Sequence, residues 1–376
     1  MTNQLSLGEV TDNLEEQDYL INTSAIQDEL FFEKDDSPWY MQGLAGFGGW
    51  IAALFLLLSI GFCFGVTLNL NDERVAGVFF CILAFMFLGG TTMWNASQLE
   101  KTGNFLSQLR LAIHITGHFL ALIGIALIFD LWQSDNHMVL LCLIISAFEI
   151  VFIKLYDSNI YRFLATLVIV FCLSSISYIY EAPILISILT GGLMIVTIGL
   201  WTDKLPTVYQ IRYFEILEPV KYGIVIGIFS ILIYEVTNRY GFIQENTANF
   251  TTAILFFCLI WLETILLDDY EISLTSRFAL TLFAISLAIS IPIWTTPGIL
   301  AGILGILLAF RRNNRILQGI SSFYLAGFIV HFYYWLDVTL LTKSIILMST
   351  GVLMIIASFV LNRFATVSND SQGVLS

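Results

Sequence analysis

Charge is the scarcest property of this 376-residue chain. Only 12% of its residues are Asp, Glu, Lys or Arg, against roughly 25% in an average soluble domain. Proline is also rare, with 6 residues, so long helices meet few breaks. There is no G-x-x-x-x-G-K-[ST] loop, no H-E-x-x-H and no G-x-S-x-G turn. The usual signatures of nucleotide binding, zinc proteolysis and serine hydrolysis are therefore missing. No basic, aromatic-interleaved patch points to nucleic acid. The five cysteines, Cys63, Cys81, Cys142, Cys172 and Cys258, form no C-x-x-C pair and all fall in apolar stretches. They read as small core hydrophobes, not as disulfides or metal ligands. No cofactor and no metal is expected, and no nucleophile–base pair supports an enzyme. The start is acidic and polar, so no cleavable signal peptide is expected.

What the chain has is grease in long blocks. It is 57% hydrophobic with 31 phenylalanines. A run of ~20 apolar residues at 1.5 Å per residue crosses a ~30 Å hydrocarbon layer. Inside lipid, backbone polar groups must be satisfied internally, which leaves helices or closed barrels. Barrel strands are ~10 residues of alternating polarity; these runs are uniformly apolar and twice as long. The fold class is therefore all-α, a polytopic transmembrane helical bundle of about 12 spans. They are placed near 43–66, 75–94, 111–131, 138–156, 160–180, 182–201, 220–237, 251–267, 276–291, 294–310, 316–336 and 343–362. Pro292 and Pro297 stand at the junction of the ninth and tenth. A tight hairpin is favoured there. One long kinked helix would instead give 11 spans and turn the C-terminus to the other side.

Loop charge supports the even count. Numbered from a cytoplasmic N-terminus, the inside segments carry Lys34, Lys101, Arg110, Lys154, Arg162, Lys204, Arg212, Lys221, Arg277, Arg311, Arg312, Arg315 and Arg363, while outside segments carry only Arg74, Arg239 and Lys343. That bias follows the positive-inside rule and places both termini in the cytoplasm. The net charge of −13 is concentrated in residues 1–42, where ten acids face the single base Lys34. This acidic tail carries a short helix signalled by Ser24 and Gln27 and closed by Pro38. It reads as a solvated tail or as a docking segment for a basic partner. The bundle occupies 43–362 and a short tail 363–376 follows. The longest internal loop, 202–219, divides the spans six and six, which resembles two-bundle transporters, although the halves show no repeat. Val208, Ile211, Phe214 and Leu217 recur there every third residue. A helix lying on the membrane surface and an ordered loop both remain open.

Ionisable groups inside spans are costly and usually face the bundle interior. His114 and His118 lie one turn apart on one face, roughly 6 and 12 Å in from Arg110. Glu149 lies five residues before Lys154, and Glu263 five before Asp268, at matched depth. These four form a candidate intramembrane polar site. A histidine partnered by a carboxylate is a reasonable proton relay. Individually satisfied side chains, or a metal site, are the competing readings. A second candidate group lies at the outer ends: Glu235, His331, Tyr333, Tyr334, Asp337 and Lys343. An aromatic belt with a tight turn accounts for it equally. Gly61 and Gly65, Gly223 and Gly227, and Gly298 and Gly302 sit at helix-packing spacing.

The C-terminal third carries a specific pattern. Arg311, Arg312, Asn313, Asn314 and Arg315 precede Leu317, Gly319, Phe323, Tyr324 and Leu325. The string Tyr333, Tyr334, Trp335, Leu336, Asp337, Thr339, Leu340, Leu341, Lys343, Ser344 follows. With Ser37, Pro38, Trp39 and Tyr40 before a Gly-rich first span, the chain resembles a bacterial family of multi-pass inner-membrane proteins, a domain of unknown function with no assigned activity. The YY-x-L-D-x-T-LL-x-KS string is its most specific part, and the resemblance covers about 37–362. It implies location in the inner membrane of Gram-negative bacteria. It also implies genetic neighbours: a second multi-pass protein and a small protein, periplasmic or membrane-anchored, with a G-D-Y-x-x-L-x-Y motif. The resulting expectation is a subunit of a membrane complex. The alternative is a transporter or channel for a small solute or proton that uses the His and Glu groups.

Overall fold

The computed structural model describes residues 47–52, 54–56, 58–60, 73–97, 104–131, 134–202, 207–237, 245–335 and scattered positions between 341 and 355. The acidic tail, Gly61 and Gly65 lie outside them, as do Asp337 and Lys343. Among the described residues there is no strand. After helical positions at 47–60, ten helices follow: α1 (Glu73–Ser97), α2 (Asn104–Phe129), α3 (Asp135–Leu155), α4 (Asn159–Ile179), α5 (Pro183–Trp201), α6 (Thr207–Thr237), α7 (Glu245–Asp269), α8 (Arg277–Ser290), α9 (Pro297–Arg311) and α10 (Arg315–Trp335). Eight of them, α1 to α7 and α10, are long and apolar enough to cross a membrane. The chain is a transmembrane helical bundle.

The helix ends follow local sequence. Ser134, Ser158 and Ser276 cap α3, α4 and α8, each accepting from the amide three residues on. A serine cap of this kind is worth about 1 kcal/mol. Pro183 and Pro297 open α5 and α9, where the missing N–H costs nothing. Four helices, α2, α4, α7 and α9, close in the same way. Leu131 N bonds Ala126 O, Ala182 N bonds Ser177 O, Ile272 N bonds Leu267 O and Asn314 N bonds Ala309 O. Each closure holds one residue at positive φ: Asp130, Glu181, Glu271 and Asn313. This is the six-to-one closure of a Schellman motif, a position usually filled by glycine.

The chain divides into two compact units. In the smaller, which takes in 47–60 and 104–113 of the described chain, Gly49 lies against Gln108 and Leu109. The larger holds α1, α2 from His114 onward, and α3 to α10. Its core is built from α5, α6, α7, α9 and α10 around Ile198, Leu232, Leu255, Leu262, Leu300, Leu304 and Leu317. Two glycine pairs let helices meet closely. A methyl added at Gly223 or Gly227 of α6 would stand 2.8 and 2.9 Å from Thr166 and Val170 of α4. Gly298 and Gly302 of α9 bear in the same way on Phe328 and Leu325 of α10. Across the α5–α7 contact, Ser187 and Thr251 share a hydroxyl bond of 2.7 Å. Outward, large apolar side chains stay bare: Phe323 is 85% exposed, Phe85 79% and Phe257 71%. Such a surface fits lipid, not water.

At one end of the larger unit, basic side chains tie the turns together. Arg311 makes a two-pronged contact with Asp269, at 2.5 and 3.0 Å. Arg312 donates to the Trp201 carbonyl at 2.6 Å. The ends of α5, α7 and α9 therefore meet. α8 and α9 are two separate helices, joined by the turn 291–296. The helix is interrupted at this junction, as the hairpin reading expects of it. A different outcome holds at 207–219: α6 runs unbroken from Thr207 to Thr237 and takes Pro219 into its interior. Proline frees the carbonyl four residues earlier, which is tolerable near a membrane edge where water or a polar side chain can meet it.

A prediction follows from the closures. Glu271 is exposed and held at φ 55°. Glu271→Gly should raise thermal stability in detergent by about 0.5–1 kcal/mol, the relief of left-handed strain less glycine's entropy. An equal or lower melting temperature would show that the position is not strained.

Candidate functional site

Four elements of the larger unit bring polar groups to one dry centre. α2 contributes His114 and His118 on one face, a turn apart. α3 contributes Glu149, six residues before its end; α4 contributes Tyr161 in its first turn; α1 contributes Thr91. The short turn 156–158 folds α4 back along α3, which is what carries Tyr161 to Glu149. All five side chains are buried, His114 completely. Tyr156, in the turn, stacks flat on His114 with ring centres 3.8 Å apart. Phe148 and Phe152 pack edgewise on His118.

The contacts form one connected chain. Tyr161 donates to Glu149 Oε2 at 2.6 Å. Glu149 Oε1 lies 2.9 Å from His118 Nδ1, at an angle too bent for a full hydrogen bond. His118 Nε2 is 3.1 Å from the Tyr161 hydroxyl and 3.2 Å from His114 Nε2. His114 Nδ1 is 2.8 Å from Thr91 Oγ1, which donates to the Phe87 carbonyl at 2.7 Å. Thr91 donates to Phe87, so His114 Nδ1–H donates to Thr91 and His114 Nε2 accepts. His118 Nε2–H then points toward Tyr161 and His114. His118 Nδ1 faces Glu149 Oε1 across the 2.9 Å contact, between aromatic walls that strengthen the electrostatics there.

Of the four inner groups singled out in the sequence, the structure joins His114, His118 and Glu149. Glu263 stands elsewhere: on α7 it accepts a hydrogen bond from Ser286 of α8. Matched depth fixed distance from the membrane edge but not direction around the helix. Tyr161, Tyr156 and Thr91 were missed. Their only sequence signal is polarity at the same depth, Thr91 as half of a Thr-Thr pair and the tyrosines beside a helix cap. Of the outer group, Glu235 is buried on α6 with Tyr178 and Tyr324 as electrostatic neighbours. Tyr333 and Tyr334 meet edgewise at 5.6 Å, with Tyr334 exposed and His331 half-buried. Asp337 and Lys343 lie outside the described residues. Arg162, read in the sequence as an ordinary loop cation, is buried. It bonds Asp157 at 2.9 Å and the Ile153 carbonyl at 3.3 Å, which locks the α3–α4 turn beneath the site. Among the described residues, no group of three or more His, Cys, Asp or Glu is arranged to hold a metal.

Residues 38–364 match the family model described as Domain of unknown function (DUF4401). Comparison with curated proteins and with solved structures gives no match.

The Tyr161 hydroxyl is the one strong donor to Glu149 Oε2 in the geometry above. Tyr161→Phe should therefore destabilise the protein by about 1.5–3 kcal/mol, the worth of a buried hydrogen bond to a charged group. Thermal unfolding in detergent reads this, and an unchanged transition would mean that Glu149 carries no charge there.

Proposed function

The chain belongs to the DUF4401 family, and from the geometry of its buried His–Glu chain we propose that it is a proton-linked transporter. The observation that carries this reading is the buried contact of 2.9 Å between His118 and Glu149, in a site closed by aromatic rings. Burial of such a pair is expensive and is retained where a proton must be held away from water and released on a signal. Histidine exchanges its proton near neutral pH, and a hydrogen-bonded chain of the kind Glu149–His118–His114–Thr91 moves a proton by small rotations of hydroxyl and ring. The site lies toward the end where Arg162 and Arg311 sit. The distribution of loop charge favours this as the cytoplasmic side. A site confined to one half of the membrane suits a carrier, which loads on one side, better than an open channel.

Proteoliposomes with a trapped pH-sensitive dye and an imposed membrane potential test this reading. Wild-type protein should acidify or alkalinise the lumen. His118→Ala and Glu149→Gln should slow the change on the order of 10²-fold, the usual worth of a positioned acid–base group. Flux equal in all three proteins would remove the site from any transport role.

A second reading, a subunit of a membrane complex, draws on the ten acids and one base of residues 1–42. A segment of that charge is suited to a basic partner. The partners expected from the resemblance are a second multi-pass protein and a small periplasmic or membrane-anchored protein. Mild-detergent affinity purification should then recover a stoichiometric companion that is lost when residues 1–42 are removed. Recovery of the chain alone would rule the complex out.

A further inference from the structure

Glu263 poses a problem that the His118–Glu149 pair does not. Its side chain is buried at 3% exposure on α7, six residues before the helix end, about 9 Å along the axis. One carboxyl oxygen accepts from Ser286, and Ser286 is backed by Ser290, which donates to its carbonyl at 2.7 Å. The other, Oε2, is buried with no hydrogen-bond partner among the described residues. An unpaired carboxylate in so dry a place costs several kcal/mol, far more than one hydroxyl returns.

Among the described residues of the helices that pack on it, no cation is positioned to balance it. The helices that pack most closely on α7 are α5, α8 and α9. α5 has no titratable side chain along its whole length. α8 has only Arg277, at its first position, nine residues before Ser286. α9 has only Arg311, at its last position, and that guanidinium is committed to Asp269. On α7 itself the remaining groups are Glu245, Cys258, Asp268 and Asp269, none of which supplies positive charge. We propose that Glu263, with Ser286, forms a second cation site within the membrane, which takes one monovalent cation, a proton or sodium, as its missing counter-charge. The site is independent of the His118–Glu149 pair, with different helices and different donors. Ser286 engages one carboxyl oxygen and leaves Oε2 to meet the cation.

Infrared difference spectra of the purified full-length protein in detergent test this, because a carboxylic acid and a carboxylate absorb in separate bands. The probes are a pH jump at fixed salt and a NaCl jump at fixed pH. In wild-type protein the pH jump should interconvert one acid band and its carboxylate, and Glu263→Gln should remove that pair of bands. Glu149→Gln should leave it in place, so that failure here and failure of the relay are separable. Ser286→Ala should keep the pair but shift the acid band, since the carbonyl loses its hydroxyl donor; this variant also reports on the site if Glu263→Gln does not accumulate. Conversion by NaCl identifies sodium as the occupant, and conversion by pH alone identifies the proton. Spectra in which neither jump produces a signal that Glu263→Gln removes or Ser286→Ala shifts would overturn the proposal.

Discussion

A lipid interior offers no hydrogen bonds, so every polar group that enters it must find its partner in the protein. The backbone meets that demand by being helical almost throughout. The helix ends meet it with serine caps, with the Schellman closures at Asp130, Glu181, Glu271 and Asn313, and with side chains brought from other helices. Trp201 shows the last device. Its carbonyl ends α5 and is met by both Arg311 and Arg312, so the positive charges that close α9 also satisfy the negative end of α5. One feature thereby fixes helix termination, the meeting of three helix ends and the concentration of basic residues at one face.

The same demand sorts the acids at the edge and in the interior. Asp269, at the membrane edge, receives a full guanidinium. Glu149, deeper, receives a tyrosine hydroxyl and a histidine. Glu263, at the depth of Glu149, receives one serine. The series runs from an arginine–carboxylate ion pair, through a carboxyl met by a tyrosine and a histidine, to one whose only hydrogen-bond donor among the described residues is a serine. Only the first is what a purely architectural ion pair requires. A core chosen for stability alone would use apolar residues at the other two positions, since replacing buried ionic groups by well-packed hydrophobes is often neutral or favourable.

How much of this was legible in the sequence depends on which coordinate is asked for. Depth along a helix is a count of residues, and so the expected spans near 75–94, 138–156, 160–180 and 182–201 agree with α1, α3, α4 and α5 within a few residues, while α2 starts seven residues before the expected 111. The break between α8 and α9 was legible because proline stops a helix. Direction around the helix axis is harder. Apolar residues surround each span, lipid being as greasy as the core, so no clear stripe tells inside from outside. That is why His114, His118 and Glu149 could be grouped by depth but Glu263 could not be separated from them. It is also why Tyr161 and Thr91, mild polar residues among many, went unnoticed. At 202–219 a surface helix and an ordered loop were both open; the segment from Thr207 instead continues through Pro219 into the span as one helix.

The packing explains why the His–Glu centre sits where it does. Glu149 and Tyr161 are twelve residues apart in sequence, on two helices joined by a three-residue turn, and the buried Arg162 clamps that turn by bonding Asp157 and the Ile153 carbonyl. The α3–α4 pair is therefore a rigid bracket that presents the carboxylate and the tyrosine together. α2 supplies the histidines from the opposite side, and Gly124 lets it approach α1, where a methyl would stand 2.8 Å from the Gly77 carbonyl. Thr91, on α1, is reached through His114. A displacement of α1 against α2 would break the contact between His114 and Thr91 but leave Tyr161, Glu149 and His118 in place. The chain of hydrogen bonds thus has a fixed half, on α3 and α4, and a half that depends on how α1 meets α2. Under the proposed relay, such an arrangement would make passage from His118 onward to Thr91 conditional on helix position.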